Sequence, residues 1–216
     1  MRVAIVGYGN VGCALAGALL SAGHDVTFVA KDEDPASASA ARESDPRLAR
    51  ASVAFADDAI RTSDLVILAL PYSVAAAFVA NHAATLDGRM VIDATNPVGP
   101  ASSHAVGTRS GAQVIADGAP GARVVKCFNL YGAENLGGVP ANGTAEPLMP
   151  LAGDDGEAKD AVAHVLKDLG WEPLDVGPLA AALDLEHLAL LWIRLVRTGG
   201  YDGHLVWSAL RWAPRT

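Results

Sequence analysis

The sequence predicts an α/β protein: a doubly wound, mainly parallel sheet with a small C-terminal α/β addition. Three observations carry this. Short apolar runs alternate with helical patterns from Arg2 to Phe128. A glycine turn follows the first run without a gap. The run from Asp64 to Leu70 is apolar on both faces, as a central parallel strand must be.

Arg2-Val3-Ala4-Ile5-Val6 reads as the first strand, and Gly7-Tyr8-Gly9-Asn10-Val11-Gly12 comes next. Cys13 to Leu20 then recurs with helical spacing until Ser21-Ala22-Gly23 ends it. The result is strand, turn and helix, with G-x-G-x-x-G inside the turn. Each glycine has a physical task. Gly7 permits the tight exit from the strand, Gly9 lets a pyrophosphate approach the backbone, and Gly12 lets the helix pack close to the sheet. The open amides and positive dipole end of the helix suit phosphates. A second strand over residues 25–30 follows at βαβ spacing, which favours a dinucleotide site over a merely structural turn.

The end of that strand bears on which dinucleotide fits. A site for NAD usually has Asp or Glu there to hold the ribose hydroxyls. This chain has Ala30 and then Lys31, whose charge suits a 2′-phosphate. Asp32 and Glu33 stand close enough in sequence to turn back toward the ribose. The balance favours NADP; the plain alternative for Lys31 is a solvated surface charge.

Asp34-Pro35-Ala36-Ser37 reads as the cap and first turn of a helix reaching Arg42, and residues 52–55 as a third strand. Pro71-Tyr72-Ser73 ends the fourth strand, and residues 74–81 form a helix. This places Leu70, Pro71 and Tyr72 beside the glycine turn, on the carboxyl edge where ligands bind. Residues 90–93 make the next strand, followed by Ala94-Thr95-Asn96-Pro97. Residues 98–111, rich in Gly, Pro and Ser, read as a loop. Residues 123–128 form a sixth strand leading to Asn129-Leu130-Tyr131-Gly132-Ala133.

After a turn-rich connector, residues 148–152 resemble a strand. Asp154 as N-cap with Glu157 three residues on opens a helix to Asp168, Gly170 stops it, and residues 171–176 are a strand. Both strands extend the same sheet. The chain therefore divides into a dinucleotide-binding region, residues 1–138, and a C-terminal extension, residues 139–216, within one compact unit. Residues 179–196 form the longest helical pattern, apolar nearly all round and hence buried. Burial against the same helix of a second copy would make a homodimer.

Composition narrows the function. A net charge of −8 disfavours nucleic acid as a partner. No apolar run approaches the ~20 residues that span a bilayer, and the first strand begins at the N-terminus, so a cytoplasmic protein is expected. Cys13 and Cys127 are the only cysteines, which argues against structural disulfides. The six histidines fall at spacings unsuited to a metal, and there is no G-x-S-x-G elbow. His104 and His187 are the least poor candidates for an acid–base role. Cys127 stands where it would face a nicotinamide or be a small buried residue. Asn96 and Asn129, in strand-end loops, suit hydrogen bonds to a ribose or carboxamide, although asparagine also shapes turns there. No catalytic acid or base is assigned. Hydride exchange between two stacked cofactor rings needs orientation more than a proton donor.

Several motifs recur together in one family's order: the glycine turn, Ala69-Leu70-Pro71-Tyr72, Ile92-Asp93-Ala94-Thr95-Asn96-Pro97, and Val125-Lys126-Cys127-Phe128-Asn129. Leu151-Ala152-Gly153-Asp154-Asp155, Val176-Gly177-Pro178-Leu179 and Leu185-Glu186-His187-Leu188 continue the series. Over nearly its whole length the chain resembles the coenzyme F420-dependent NADP oxidoreductases and the related N-terminal reductase domain of the STEAP metalloreductases. The resemblance implies a Rossmann-type fold, usually dimeric, with NADP(H) in the glycine-turn cleft. It implies hydride exchange with a deazaflavin of the F420 type. A flavin, ferric or imine acceptor is the alternative, and a non-catalytic NADP(H) sensor is a reading of another class. Where the family commonly has Ser/Thr-Arg, this chain has Ala30-Lys31, so the charge is kept and the hydroxyl is lost. Tyr72 replaces a frequent Trp. By position, Pro71, Tyr72, Asn96, Asn129 and Ala133 would line the hydride-transfer cleft. The full expected cofactor-binding set adds Gly7, Tyr8, Gly9, Asn10, Val11, Gly12, Ala30, Lys31, Leu70 and Pro97.

Overall fold

A computed structural model describes residues 1–31, 36–43, 45–137 and 146–210. In chain order the first half contains β1 (Arg2–Val6), α1 (Asn10–Ser21), β2 (Asp25–Val29), α2 (Ala36–Glu43), β3 (Ser52–Ala54), α3 (Ala56–Thr62), β4 (Leu65–Leu68) and α4 (Tyr72–Asn81). Then come α5 (Ala83–Leu86), β5 (Met90–Asp93), α6 (Gly111–Gly118), β6 (Arg123–Lys126) and α7 (Ala133–Leu136). The chain closes with β7 (Leu148–Gly153), α8 (Gly156–Asp168), β8 (Glu172–Asp175) and α9 (Ala182–Ile193).

The eight strands form one sheet in the order β3-β2-β1-β4-β5-β6-β7-β8. β7 runs antiparallel to β6, with Val125 opposite Gly153, and every other pairing is parallel. The order reverses direction between β1 and β4, the switch point at which doubly wound sheets bind ligands. This is the Rossmann-type architecture. Alternation along β1 shows why helices cover both faces: Val3 and Ile5 join a core with α1 and α8, whereas Ala4 and Val6 join one with α3, α4 and α6.

Local chemistry shifts several boundaries. α1 begins at Asn10, inside the glycine turn, and α4 begins at Tyr72, immediately after Pro71. Two helices are not evident from apolar periodicity. α3 is short, and α6 begins where the loop was expected to end. A capping box starts α6: Ser110 Oγ accepts from Gln113 N at 3.0 Å, and Gln113 Oε1 accepts from Ser110 N at 3.0 Å. The S-x-x-Q spacing was the available signal. The N-cap of α8 is Asp155, accepting from Ala158 N at 2.7 Å. Asp154 instead accepts from Leu179 N at 2.9 Å, which fixes the entry to the last helix. The expected cap at Asp34-Pro35 lies outside the described residues.

The last helical stretch is three pieces: a 3-10 turn at Leu179–Ala181, α9, and a π turn at Arg194–Thr198. α9 buries Ala182, Leu185, Glu186, Ala189, Leu190 and Trp192 against its own chain, and Trp192 Nε1 donates to Leu205 O at 2.7 Å. Its apolar character is thus largely explained within one copy, while Leu191 remains 44% exposed. Among the described residues no helix is long and apolar enough to cross a membrane.

Candidate functional site

The carboxyl ends of β1, β4 and β5 meet at the switch point. Residues 9–11, 69–72 and 94–96 line a cavity there of about 300 Å³. The glycine turn supplies one wall. Gly7 holds φ +106, and a Cβ on it would stand 2.4 Å from Ala69 O. A Cβ on Gly12 would stand 1.9 Å from Gly7 O, so only glycine lets α1 seat against the strand exit. A Cβ on Gly9 would meet no atom within 4 Å. Gly9 caps α1 without a side-chain hydrogen bond, and no acidic residue stands in the first turn. The start of α1 therefore offers backbone amides and a positive dipole end to open space, which fits a pyrophosphate.

Of the expected site residues, Gly9, Asn10, Val11, Leu70, Pro71, Tyr72 and Asn96 line the cavity. Gly7 and Gly12 lie beneath it as packing positions. Tyr8 turns its hydroxyl to Ser37 Oγ at 2.6 Å and sets its ring edge-on to Phe28, tying the glycine turn to α2. Ala30 is buried at the tip of β2, its N–H donating to Ala54 O, and Lys31 is exposed beside it. Asp32 and Glu33 lie outside the described residues. Pro97 is buried and does not border the cavity. Ala133 opens α7, also away from the cavity.

Asn129 supports the site from below. It is 2% exposed, and its Nδ2 donates to Asn96 Oδ1 at 3.0 Å and to Leu185 O at 3.2 Å. Asn96 Nδ2 donates in return to Asn129 O at 2.6 Å. The two amides thus lock β5, β6 and α9 together, with Asn96 on the cavity side. Phe128 adopts φ +60, a left-handed conformation that is rare for a bulky residue, at the turn that delivers Asn129. Three lining residues were not singled out from sequence: Ala69, Ala94 and Thr95. They belong to strand ends already assigned to the ligand edge, so extending those segments would have found them.

Behind Thr95 lies a buried ion cluster. Lys126 Nζ donates to Asp93 Oδ2 at 2.8 Å and Thr95 O at 2.6 Å, and it contacts Glu186 Oε1 at 2.9 Å. Glu186 also accepts from Gly111 N at 2.9 Å and Ala112 N at 3.3 Å, the first amides of α6. Burial pushes the Glu186 carboxyl up, but Lys126, the Gly111 amide and His104 together hold it below its ordinary value. Val106 N–H donates to His104 Nδ1 at 3.3 Å, so the ring proton sits on Nε2 and is donated to Glu186 Oε2 at 2.6 Å. His104 is therefore part of the internal cluster and lines no part of the cavity. His187 packs its ring against His104 from the exposed side, centroids 5.1 Å apart.

Gly111 also shapes the cavity wall. A Cβ there would stand 2.8 Å from Tyr72 Cε2 and 3.2 Å from Pro97 Cγ, so the Tyr72 ring rests against bare backbone. Burial, then Glu186 and Asp93, raise the Tyr72 phenol and keep it protonated. Cys127 is 0% exposed and belongs to the core, where burial pushes its thiol far up. Among the described residues the cavity walls carry hydroxyls and amides, but no carboxylate, imidazole or amine.

Comparison with known proteins decides the family. Residues 2–97 match the family model described as NADP oxidoreductase, coenzyme F420-dependent. A solved structure from Arthrobacter sp. FB24, described as a candidate F420-dependent NADP reductase, is 31% identical. It superposes with a TM-score of 0.77 over 94% of this chain and 96% of that one. This chain belongs to the coenzyme F420-dependent NADP oxidoreductase family. A hypothetical protein from Sinorhizobium meliloti is 29% identical with a TM-score of 0.76, over 97% of this chain and 96% of its own. Metalloreductase STEAP3 of Rattus norvegicus is 28% identical over 189 residues, which are 88% of this chain and 36% of STEAP3. The chain thus spans about a third of that curated relative's length. Membership makes the chain an NADP-dependent oxidoreductase, and the glycine-turn cradle fits its dinucleotide.

Proposed function

We propose that the chain transfers hydride between NADP(H) and a deazaflavin of the F420 type. One observation carries this: the cavity at the switch point is lined by the open glycine turn and by Pro71, Tyr72, Thr95 and Asn96, with no carboxylate, imidazole or amine among the described residues that line it. Reduction of a carbonyl or imine usually gains from such a group, whereas ring-to-ring hydride transfer gains from alignment. NADPH, when bound, supplies the hydride. The protein supplies placement. The first amides of α1 hold the pyrophosphate, and Lys31 faces the 2′-phosphate. Tyr72, fixed on Gly111, and Asn96, fixed by Asn129, bound the space in which the rings meet. A homodimer is part of this reading, with the exposed Leu191 of α9 as its contact.

The test is anaerobic mixing of the NADPH-loaded protein with oxidised F420. Loss of the oxidised F420 absorbance is expected, and its persistence refutes the acceptor. The likeness to STEAP3 favours a second reading with a flavin or ferric acceptor. Turnover with free FAD, FMN or ferric chelate but not F420 would select it, and tight NADPH binding without turnover on any of these would leave a sensor.

A further inference from the structure

We infer that the Thr95 hydroxyl is a hydrogen-bonding contact to an amide-like group, a carbonyl with an adjacent N–H, carried by the redox ring bound in this cavity. Thr95 stands at the carboxyl end of β5 and lines the cavity while only 3% exposed. Its backbone is fully committed. The N–H donates to Asp93 Oδ1 at 2.9 Å, and the carbonyl accepts from Lys126 Nζ at 2.6 Å. Both partners belong to the buried ion cluster, so the residue is held in place by charges that cannot move without exposing each other.

The hydroxyl is what remains. Thr95 Oγ1 is buried and has no hydrogen-bond partner among the described residues. Among the described residues four others carry such an atom, namely His24, Asn129, Trp171 and the half-buried Trp207, and none of them lines this cavity. Folded proteins satisfy buried hydroxyls, so an unsatisfied one on a residue that lines a cavity points to a partner that arrives with the ligand, met when the Thr95 side chain turns toward it. The other polar side chain nearest in sequence, Asn96, is already engaged at both ends of its amide by Asn129. A hydroxyl can donate to a carbonyl or accept from an N–H. The nicotinamide carboxamide and the carbonyl-bearing ring of a deazaflavin both present that pair. The inference rests on the proposed function only for the second of these.

The test compares the wild type with Thr95→Val, which keeps the shape and removes the hydroxyl, and with Thr95→Ser, which keeps the hydroxyl. Thermal unfolding without ligand comes first. Because no hydrogen bond is lost in the free protein, Thr95→Val should unfold at the wild-type temperature or above it. Titrations with NADPH and with 2′-phospho-ADP-ribose, which lacks the nicotinamide, come next. A nicotinamide contact predicts NADPH binding weakened roughly 5- to 50-fold, 2′-phospho-ADP-ribose binding unchanged, and recovery in Thr95→Ser. An acceptor contact predicts unchanged NADPH binding and a KM for F420 raised by a similar factor, again recovered by Ser. If neither ligand parameter moves, or if Thr95→Val unfolds at lower temperature with ligand binding intact, the inference is overturned and Thr95 is structural. Should F420 not react at all, the NADPH titrations still decide: unchanged affinity then rejects the contact.

Discussion

Replacing Lys126 by Met tests the scaffold on which the site stands. Lys126 is fully buried, and its ammonium group is the cation of a cluster containing Asp93 and Glu186, both also buried. Met preserves much of the volume and removes three contacts of 2.6 to 2.9 Å. Two carboxylates are then left without their shared cation. Removing one partner of a buried ion pair costs about 3–5 kcal/mol. For a chain of this size each kcal/mol lowers Tm by roughly 2–4 °C, so a fall of roughly 6–20 °C is expected. The pH dependence adds a signature. In the wild type Glu186 is held below its ordinary value of 4.5, so its contribution is fully present above that pH and is lost as pH falls through the lower native value. In Lys126→Met burial dominates and the native value of Glu186 rises above the unfolded one, so the variant loses stability as pH rises. The gap between the two proteins should be widest at neutral pH and narrow toward pH ~4. Urea unfolding across that range is the assay. Adding Glu186→Gln to Lys126→Met should recover part of the loss. A loss under about 1 kcal/mol, or a gap that does not narrow in acid, would refute the electrostatic account.

Three further outcomes follow. Gly12→Ala should weaken NADPH binding and lower stability by about 1–3 kcal/mol, the cost of overpacking, less at most about 1 that Ala adds to the helix. Titration and unfolding of the same sample check this, and unchanged NADPH affinity would contradict the seating of α1 on Gly7 O. Lys31→Ala should weaken NADPH roughly 3- to 10-fold while leaving NADH unchanged, as expected for one exposed charge; equal loss for both would move the 2′-phosphate elsewhere. Cys127 should resist alkylation in the native protein and react on unfolding, and Cys127→Ala should keep NADPH binding. Rapid native labelling of Cys127, read by mass spectrometry, would contradict its burial.

The parallel half of the fold was legible because its signals are local. A strand, a glycine turn and an amphipathic helix lie within the first 21 residues, and both periodicities are clean. The cavity followed from the rule that ligands collect at the carboxyl ends of strands, which is why residues 70–72 and 96 could be named. What sequence could not show depends on contacts far apart in the chain. Lys126 and Glu186 look like a strand charge and a helix charge until the fold buries them together. Asn129 was read as a group facing a ligand, yet Asn96 engages it, and His104, one of the two least poor acid–base candidates, is engaged by Glu186. Ala133 was placed in the cleft by analogy of position; it opens α7 and is not among the residues that line the cavity. The α6 start was missed for a different reason. Its capping signal sits at the end of a Gly- and Ser-rich stretch that reads as loop.

The most direct test of the central claim is isotopic. NADPH deuterated at C4 of the nicotinamide, on each face in turn, is mixed anaerobically with the protein and oxidised F420, and the reduced product is examined by mass spectrometry and NMR. Direct ring-to-ring transfer predicts deuterium at C5 of reduced F420 from one face only, with none released to water. Deuterium in the solvent, or no reduced F420 while NADPH binds tightly, would contradict the account.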